Sequence, residues 1–188
     1  MTIEQMTEKL RNTLEEKRFN HSLNVMEEAV RIANHYGADV EKARIAGLLH
    51  DCAKNYPKEE LYAMCDKFGI CLNETAKKEA GLIHGFVGAY LLKEEYGIDD
   101  EEIFDAVYYH TIGKPDMPLL TKIIFIADCT EPSRKAEWVD EIRNTVCEDI
   151  DKALIIQLDN TIRSVLKKGT LLHTNTVDTR NFYIEQKR

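Results

Sequence analysis

Residues 117–129 read MPLLTKIIFIADC, an almost wholly apolar run that closes on an aspartate, and its reading decides the fold. Thr121, Ile123, Ile124 and Ile126 are β-branched, so the run suits a buried strand as well as a buried helix. A strand needs partners, and no second stretch alternates apolar and polar residues in the way a sheet requires. The run is therefore expected to form a buried helix ending at Asp128, in an all-α protein.

The rest of the chain agrees with that choice, because its periodicity is helical nearly throughout. Residues 3–16 form a charged amphipathic segment. In HSLNVMEEAVRIANHYG, the residues Leu23, Met26, Val30 and Ala33 recur at spacings of three and four, and Gly37 stops the helix. Asp39 is placed to cap the next helix, whose small residues Ala43, Ala46 and Gly47 lead to His50. A short helix opens near Pro57 and closes at Gly69; another, within 74–97, carries His84; an acidic start at 99–102 begins one that ends at His110. A last long helix is expected over 148–168, closing at Gly169. With 188 residues and no repeat or low-complexity linker, a single domain spanning 1–188 is expected, its core at about 17–168.

Composition narrows the partners. The formal net charge is −8, from 25 basic and 33 acidic residues, which argues against a broad nucleic-acid or acidic-membrane footprint. The charged N-terminal stretch predicts neither a signal peptide nor a membrane span. The five cysteines (Cys52, Cys65, Cys71, Cys129, Cys147) contain no CxxC pair. They read as reduced thiols in a cytoplasmic protein, acting as small apolar fillers.

Against this background the ligand-type side chains stand out. Three apolar helices end on them: His50 with Asp51, His110, and Asp128; His21 and His84 sit within two more. One histidine on a helix is ordinarily a hydrogen-bonded structural residue, and His35 fits that description, as does His173. Asp128 is different, since a carboxylate at the end of TKIIFIAD needs a cation, donors or a metal if buried. Gly81, Gly85 and Gly88 flank His84 and clear its face for close approach by a ligand or a backbone. Taken in order, His21, His50-Asp51, His84, His110 and Asp128 offer nitrogen and oxygen donors suited to iron, manganese or zinc. At a helix end, adjacent His50 and Asp51 can both turn into one cavity.

The series resembles the signature of the HD-domain superfamily of metal-dependent phosphohydrolases, and within it the YqeK-type family that splits dinucleoside tetraphosphates symmetrically. The stretches that carry the resemblance are KRFNHSLNV, GLLHDCAK, LIHGFVGAYL, YYHTIGKPDM, IFIADCTEPSR and HTNTVDTRN, together spanning about residues 17–182. The resemblance implies an HD-domain helical bundle. It implies a divalent metal, iron by preference, as one or two ions on His21, His50, Asp51 and Asp128. His84 and His110 would complete a second metal site bridged by Asp51 or contact phosphates directly. Cys52, Cys129 and Gly85-Phe86 depart from the bulkier residues and the alanine–proline pair expected there, which bears on pocket shape.

Such an enzyme must also neutralise a polyphosphate. Arg18, Lys54, Lys114 and Arg134 stand close in sequence to the ligands, and an arginine fork suits phosphate. Thr111 and Gly113, after His110, offer a hydroxyl and backbone amides. The resemblance makes 169–188 a substrate-capping segment with His173, Thr174 and Asn175 as nucleotide contacts; alternatively Thr174 or Asn175 simply caps a last helix. The reaction expected is metal-assisted cleavage of diadenosine tetraphosphate to two ADP, with Asp51, Lys54, His84, His110 and Asp128 as the catalytic set. The expected partners are the nucleotide substrate and its ADP product, without nucleic-acid polymer or membrane; the oligomeric state, homodimer included, is open. The rivals are another HD nucleotide phosphohydrolase (a 5′-nucleotidase or alarmone hydrolase), a non-catalytic metal- and nucleotide-binding sensor, and a helical scaffold.

Overall fold

The computed structural model describes all 188 residues and contains helices and no strand. The helices are α1 (Ile3–Thr13), α2 (Glu16–Tyr36), α3 (Val40–Leu49), α4 (Lys58–Phe68), α5 (Glu74–Lys78), α6 (Ile83–Tyr96), α7 (Glu101–Tyr109), α8 (Leu119–Thr130), α9 (Glu137–Thr145), α10 (Ile150–Lys168) and α11 (Thr174–Glu185), with a 3₁₀ turn at Ala80–Leu82 before α6. Local signals set their ends. The Asp39 carboxylate accepts from the amides of Glu41 and Lys42, and α2 stops on Gly37 at φ 66°.

The run that decided the fold class is α8, the central rod of the bundle. It packs against α2, α3, α7 and α10, and nine of its twelve residues are buried. Its β-branched residues fill the interior as a helix because packing overrides their local preference when there is no strand to pair with. The helix continues two residues past Asp128, so Asp128 lies on its last turn instead of ending it.

Against α8, helices α2 and α3 pack very closely. A Cβ on Gly47 would lie 2.8 Å from the Met26 Cα, so only glycine admits this approach. The result places His21 of α2 beside His50 at the α3 terminus. Gly85 does the same for α6 and α7: a Cβ there would lie 3.2 Å from Cε1 of the His110 ring.

Three features differ from expectation. Helix α9 has no counterpart in the sequence reading, since Val139 and Ile142 are its only buried apolar side chains. The stretch before His84 is broken into α5 and the 3₁₀ turn. The core also reaches beyond 17–168: Met6 and Leu10 of α1 and Tyr183 of α11 belong to the main hydrophobic cluster. Helix α11 is tied down further, with Tyr183 Oη accepting from the Met117 amide at 2.8 Å and Thr176 donating to the Ile112 carbonyl at 3.2 Å. No cysteine is paired in a disulfide, and no helix is long and apolar enough to cross a membrane.

Candidate metal centre and its flanking cleft

Five helices deliver one cluster. α2 supplies His21, the end of α3 supplies His50 and Asp51, α6 supplies His84, the end of α7 supplies His110, and α8 supplies Asp128. The four histidines and Asp51 are buried; the Asp128 side chain is 27% exposed.

Each histidine is oriented through Nδ1. His50, His84 and His110 donate from Nδ1 to the carbonyl three residues earlier in the chain: Gly47 at 2.8 Å, Gly81 at 2.8 Å and Val107 at 2.6 Å. His21 is the exception, donating to the carboxylate of Glu131 at 3.1 Å. With Nδ1 carrying the hydrogen, every Nε2 presents a lone pair to the centre.

Asp51 divides the cluster in two. Its Oδ1 faces His84 Nε2 at 2.9 Å and His110 Nε2 at 3.7 Å. Its Oδ2 faces His50 Nε2 at 3.4 Å and His21 Nε2 at 3.8 Å. Asp128 Oδ1 adds a further oxygen 3.0 Å from His21 Nε2 and 4.0 Å from His50 Nε2. These are acceptors converging on acceptors. His84 Nε2 and His110 Nε2 are only 3.1 Å apart, and His21 Nε2 and His50 Nε2 are buried without a hydrogen-bond partner. Lone pairs held this close repel unless cations lie among them, and imidazole and carboxylate are the donor set of transition metals. The ligand atoms of His21, His50 and Asp51 lie close enough together to hold one ion, as do those of Asp51, His84 and His110, and Asp128 Oδ1 stands beside the first group.

The protonation states agree. Burial pushes His84 down to about 4, against the pull of Asp51, so the ring is neutral at pH 7. Protons on the imidazoles can stand in for the cations: burial acts upward on Asp51, but charge on His50 and N–H donors from His110, His50 and His84 outweigh it and hold the carboxyl well below the usual range. Asp128 behaves alike: burial raises it, and an N–H donor from His21 with the charges of His50 and Arg134 lowers it by more. Burial also lowers Lys54, with Asp51 opposing.

Cations ring the cluster. Arg18 Nη1 donates to Asp51 Oδ2 at 2.7 Å, and Arg134 Nη2 donates to Asp128 Oδ1 at 2.8 Å. Lys54 Nζ lies 3.2 Å from His84 Nε2 and 3.8 Å from Asp51 Oδ1. Thr111 stands beside His110 with its buried Oγ1 unpartnered.

Other expected residues lie elsewhere. Lys114 does not turn inward: it pairs with Asp105 and rests over the Tyr109 ring. The Gly113 amide is committed to the Tyr109 carbonyl at 2.8 Å. At α11 the cap is neither Thr174 nor Asn175 but His173, whose Nδ1 accepts from the Asn175 amide at 3.2 Å while its Nε2 lies 2.8 Å from Asn73 Nδ2. Asn175 Nδ2 donates to the Gly113 carbonyl at 3.3 Å, and Thr174 is exposed. Asn175 thereby ties α11 to the loop after His110, and His173 ties the start of α11 to Asn73. His35 is exposed at the end of α2.

Sequence reasoning missed Glu131. Fully buried, it also accepts from Asn24 at 3.0 Å and from the Ser133 amide at 2.7 Å. It missed as well a cleft of about 500 Å³ that runs from His110, Asp128 and Arg134 between α9 and α10. A groove of similar size between α6 and α7, floored by Phe68, Tyr90 and Phe104, is separate from the histidine cluster.

Residues 18–133, which contain every one of these ligands, match the HD domain family. The chain belongs to the HD domain family. Among HD relatives, a symmetrical bis(5′-nucleosyl)-tetraphosphatase of Bacillus subtilis is 38% identical over 175 residues, covering 93% of this chain and 94% of that one. The enzyme of the same name from Halalkalibacterium halodurans is 39% identical over 175 residues, covering 93% of each. A crystal structure from Clostridium acetobutylicum, described as an HD superfamily hydrolase involved in NAD metabolism, is 47% identical and superposes with a TM-score of 0.96 over 99% of this chain and 98% of that one.

Proposed function

We propose that this protein is a metal-dependent phosphohydrolase that cleaves dinucleoside tetraphosphates symmetrically, converting diadenosine tetraphosphate to two ADP. Its near full-length relatives carry that name. The observation that carries the chemistry is the convergence of four imidazole Nε2 lone pairs on the two oxygens of Asp51. We assign iron to the site: His21, His50, Asp51 and Asp128 would hold one ion, and Asp51, His84 and His110 would hold a second. When bound, such ions lower the pKa of water to yield a nucleophile at neutral pH and polarise the phosphoryl oxygens.

The chain's own residues do the rest. Backbone carbonyls and Glu131 hold the imidazoles in the tautomer that leaves Nε2 free, so the ligand set needs no reorganisation. Arg18, Lys54 and Arg134 lie where a tetraphosphate meets the cluster and offset its charge as the central anhydride breaks. Water adds to one of the two inner phosphorus atoms, the bond from that phosphorus to the bridging oxygen breaks, and one ADP leaves carrying that oxygen. The unpartnered Thr111 hydroxyl supplies a further donor to a phosphoryl oxygen. Asn175 acts indirectly, by holding the loop after Thr111, and His173 by anchoring the start of α11 to Asn73. An intact ligand set favours this reading over a non-catalytic sensor.

Incubating metal-loaded protein with diadenosine tetraphosphate and separating the products tests the function. ADP as the sole product is expected. AMP plus ATP, or tight binding without turnover, contradicts it.

A further inference from the structure

The turn between α8 and α9 carries two residues of the centre. Glu131 directly follows the last residue of α8, and the chain folds back at once, the Arg134 amide donating to the Glu131 carbonyl at 3.0 Å. Glu131 orients His21, and Arg134 reaches Asp128. Carbonyls at the end of a helix have no partner in a following turn, and here Arg143 of α9 supplies one. Its Nε donates to the Thr130 carbonyl at 2.9 Å, and its Nη2 donates to the carbonyls of Glu131 at 2.8 Å and Arg134 at 3.0 Å. Its Nη1 donates to Asp140 at 2.9 Å. One planar guanidinium thus pins the first and the last residue of the turn, at the helix end whose dipole favours a cation. Arg143 does not line the cleft that begins at Asp128 and Arg134; it opens on a separate pocket beside Glu28 and Arg31. Its effect on the centre passes through the turn.

We propose that Arg143 is a positioning residue, which fixes the backbone from which Arg134 presents its guanidinium to a substrate phosphate. This rests on the phosphohydrolase reading, in which Arg134 meets the polyphosphate. Arg134 depends on that anchor more than Glu131 does. The Glu131 carboxylate is buried and is held by His21, Asn24 and the Ser133 amide. The Arg134 side chain is 41% exposed, and its hydrogen bonds go to Asp128 alone, to the carbonyl at 3.0 Å and to Oδ1 at 2.8 Å. With little packing around it, the side chain is aimed chiefly by its backbone. A lysine at position 143 keeps the charge but offers a single ammonium in place of the fork.

A double-mutant cycle at saturating metal tests the assignment, read by kcat/KM for diadenosine tetraphosphate and by calorimetric titration with pyrophosphate. Arg143→Lys is expected to lower kcat/KM about 10- to 100-fold, as misplacing a binding group does, and to weaken pyrophosphate in parallel. In an Arg134→Met background the same substitution should cost less than about twofold on both readouts, because the group it acts through is gone. A loss of equal size in both backgrounds overturns the assignment, as does a lower melting temperature with both readouts unchanged. If the lysine variant does not fold, Arg143→Gln runs the same cycle with the same expectations. The two readings fail separately. Turnover without coupling between the two arginines removes the role of Arg143 alone, whereas coupled pyrophosphate binding without cleavage removes the hydrolase and leaves that role. Wild-type protein that binds no pyrophosphate removes both.

Discussion

At the scale of single residues, the centre works because hydrogens are kept out of it. Three histidines commit Nδ1 to a carbonyl of their own helix or the turn before it, and His21 alone commits it to a carboxylate. A negative partner raises the basicity of the opposite nitrogen, so Glu131 should strengthen His21 as a ligand. Glu131→Gln keeps the shape and removes the charge. We expect chelator competition to show one ion held about 10- to 100-fold more weakly in this variant. A lower melting temperature with unchanged metal affinity would make Glu131 a structural residue only. Glu131 was illegible in the sequence because the groups that give it its role, His21 and Asn24, come from α2, far along the chain. Lys114 misled in the opposite direction. Four residues beyond His110 in sequence, it turns away in space and is neutralised by Asp105.

At the scale of elements, the site depends on how closely helices approach. Gly47→Ala would drive a Cβ to 2.8 Å from the Met26 backbone, and backbone cannot yield as a side-chain tip can. A stability loss of about 1–3 kcal/mol is expected from denaturant unfolding, with reduced metal content because His50 moves with α3. Wild-type stability and metal content together would show that α2 and α3 are not constrained here. The helices bearing ligands were readable because strong apolar periodicity ended on polar residues, and α8 was separable from a strand once no partner strand was found. Helix α9 was not readable, having two buried apolar residues in nine. The cleft it forms with α10 was hidden for the same reason. His173 as the α11 cap was missed because histidine is an uncommon N-cap and Thr174 and Asn175 offered better-known ones.

For the whole molecule, burying so many titratable groups ties stability to pH. His84 is pushed down to about 4 by burial, from an ordinary 6.5. Between those values the unfolded chain binds a proton that the folded chain does not, so stability falls as pH drops through this window. Below the ordinary aspartate value of 3.8, the depressed carboxyls of Asp51 and Asp128 add to the loss, because the unfolded chain protonates them first. Denaturant unfolding of chelator-treated protein should therefore show a stability that declines as the pH is taken from 6.5 to 4. One such histidine contributes on the order of 1.4 kcal/mol for each pH unit crossed. His84→Gln should flatten that slope, and a slope unchanged in this variant would assign the acid sensitivity to other groups.

Asp51 is the residue on which the two halves of the cluster meet, one carboxylate oxygen facing each pair of histidines, and the proposed metal centre rests on it. The most direct test measures bound metal and turnover of diadenosine tetraphosphate in one preparation of Asp51→Asn, with helical content confirmed by circular dichroism. The prediction is loss of bound metal and a fall in turnover of about a thousandfold. Wild-type turnover in that variant, whether with or without bound metal, would contradict it.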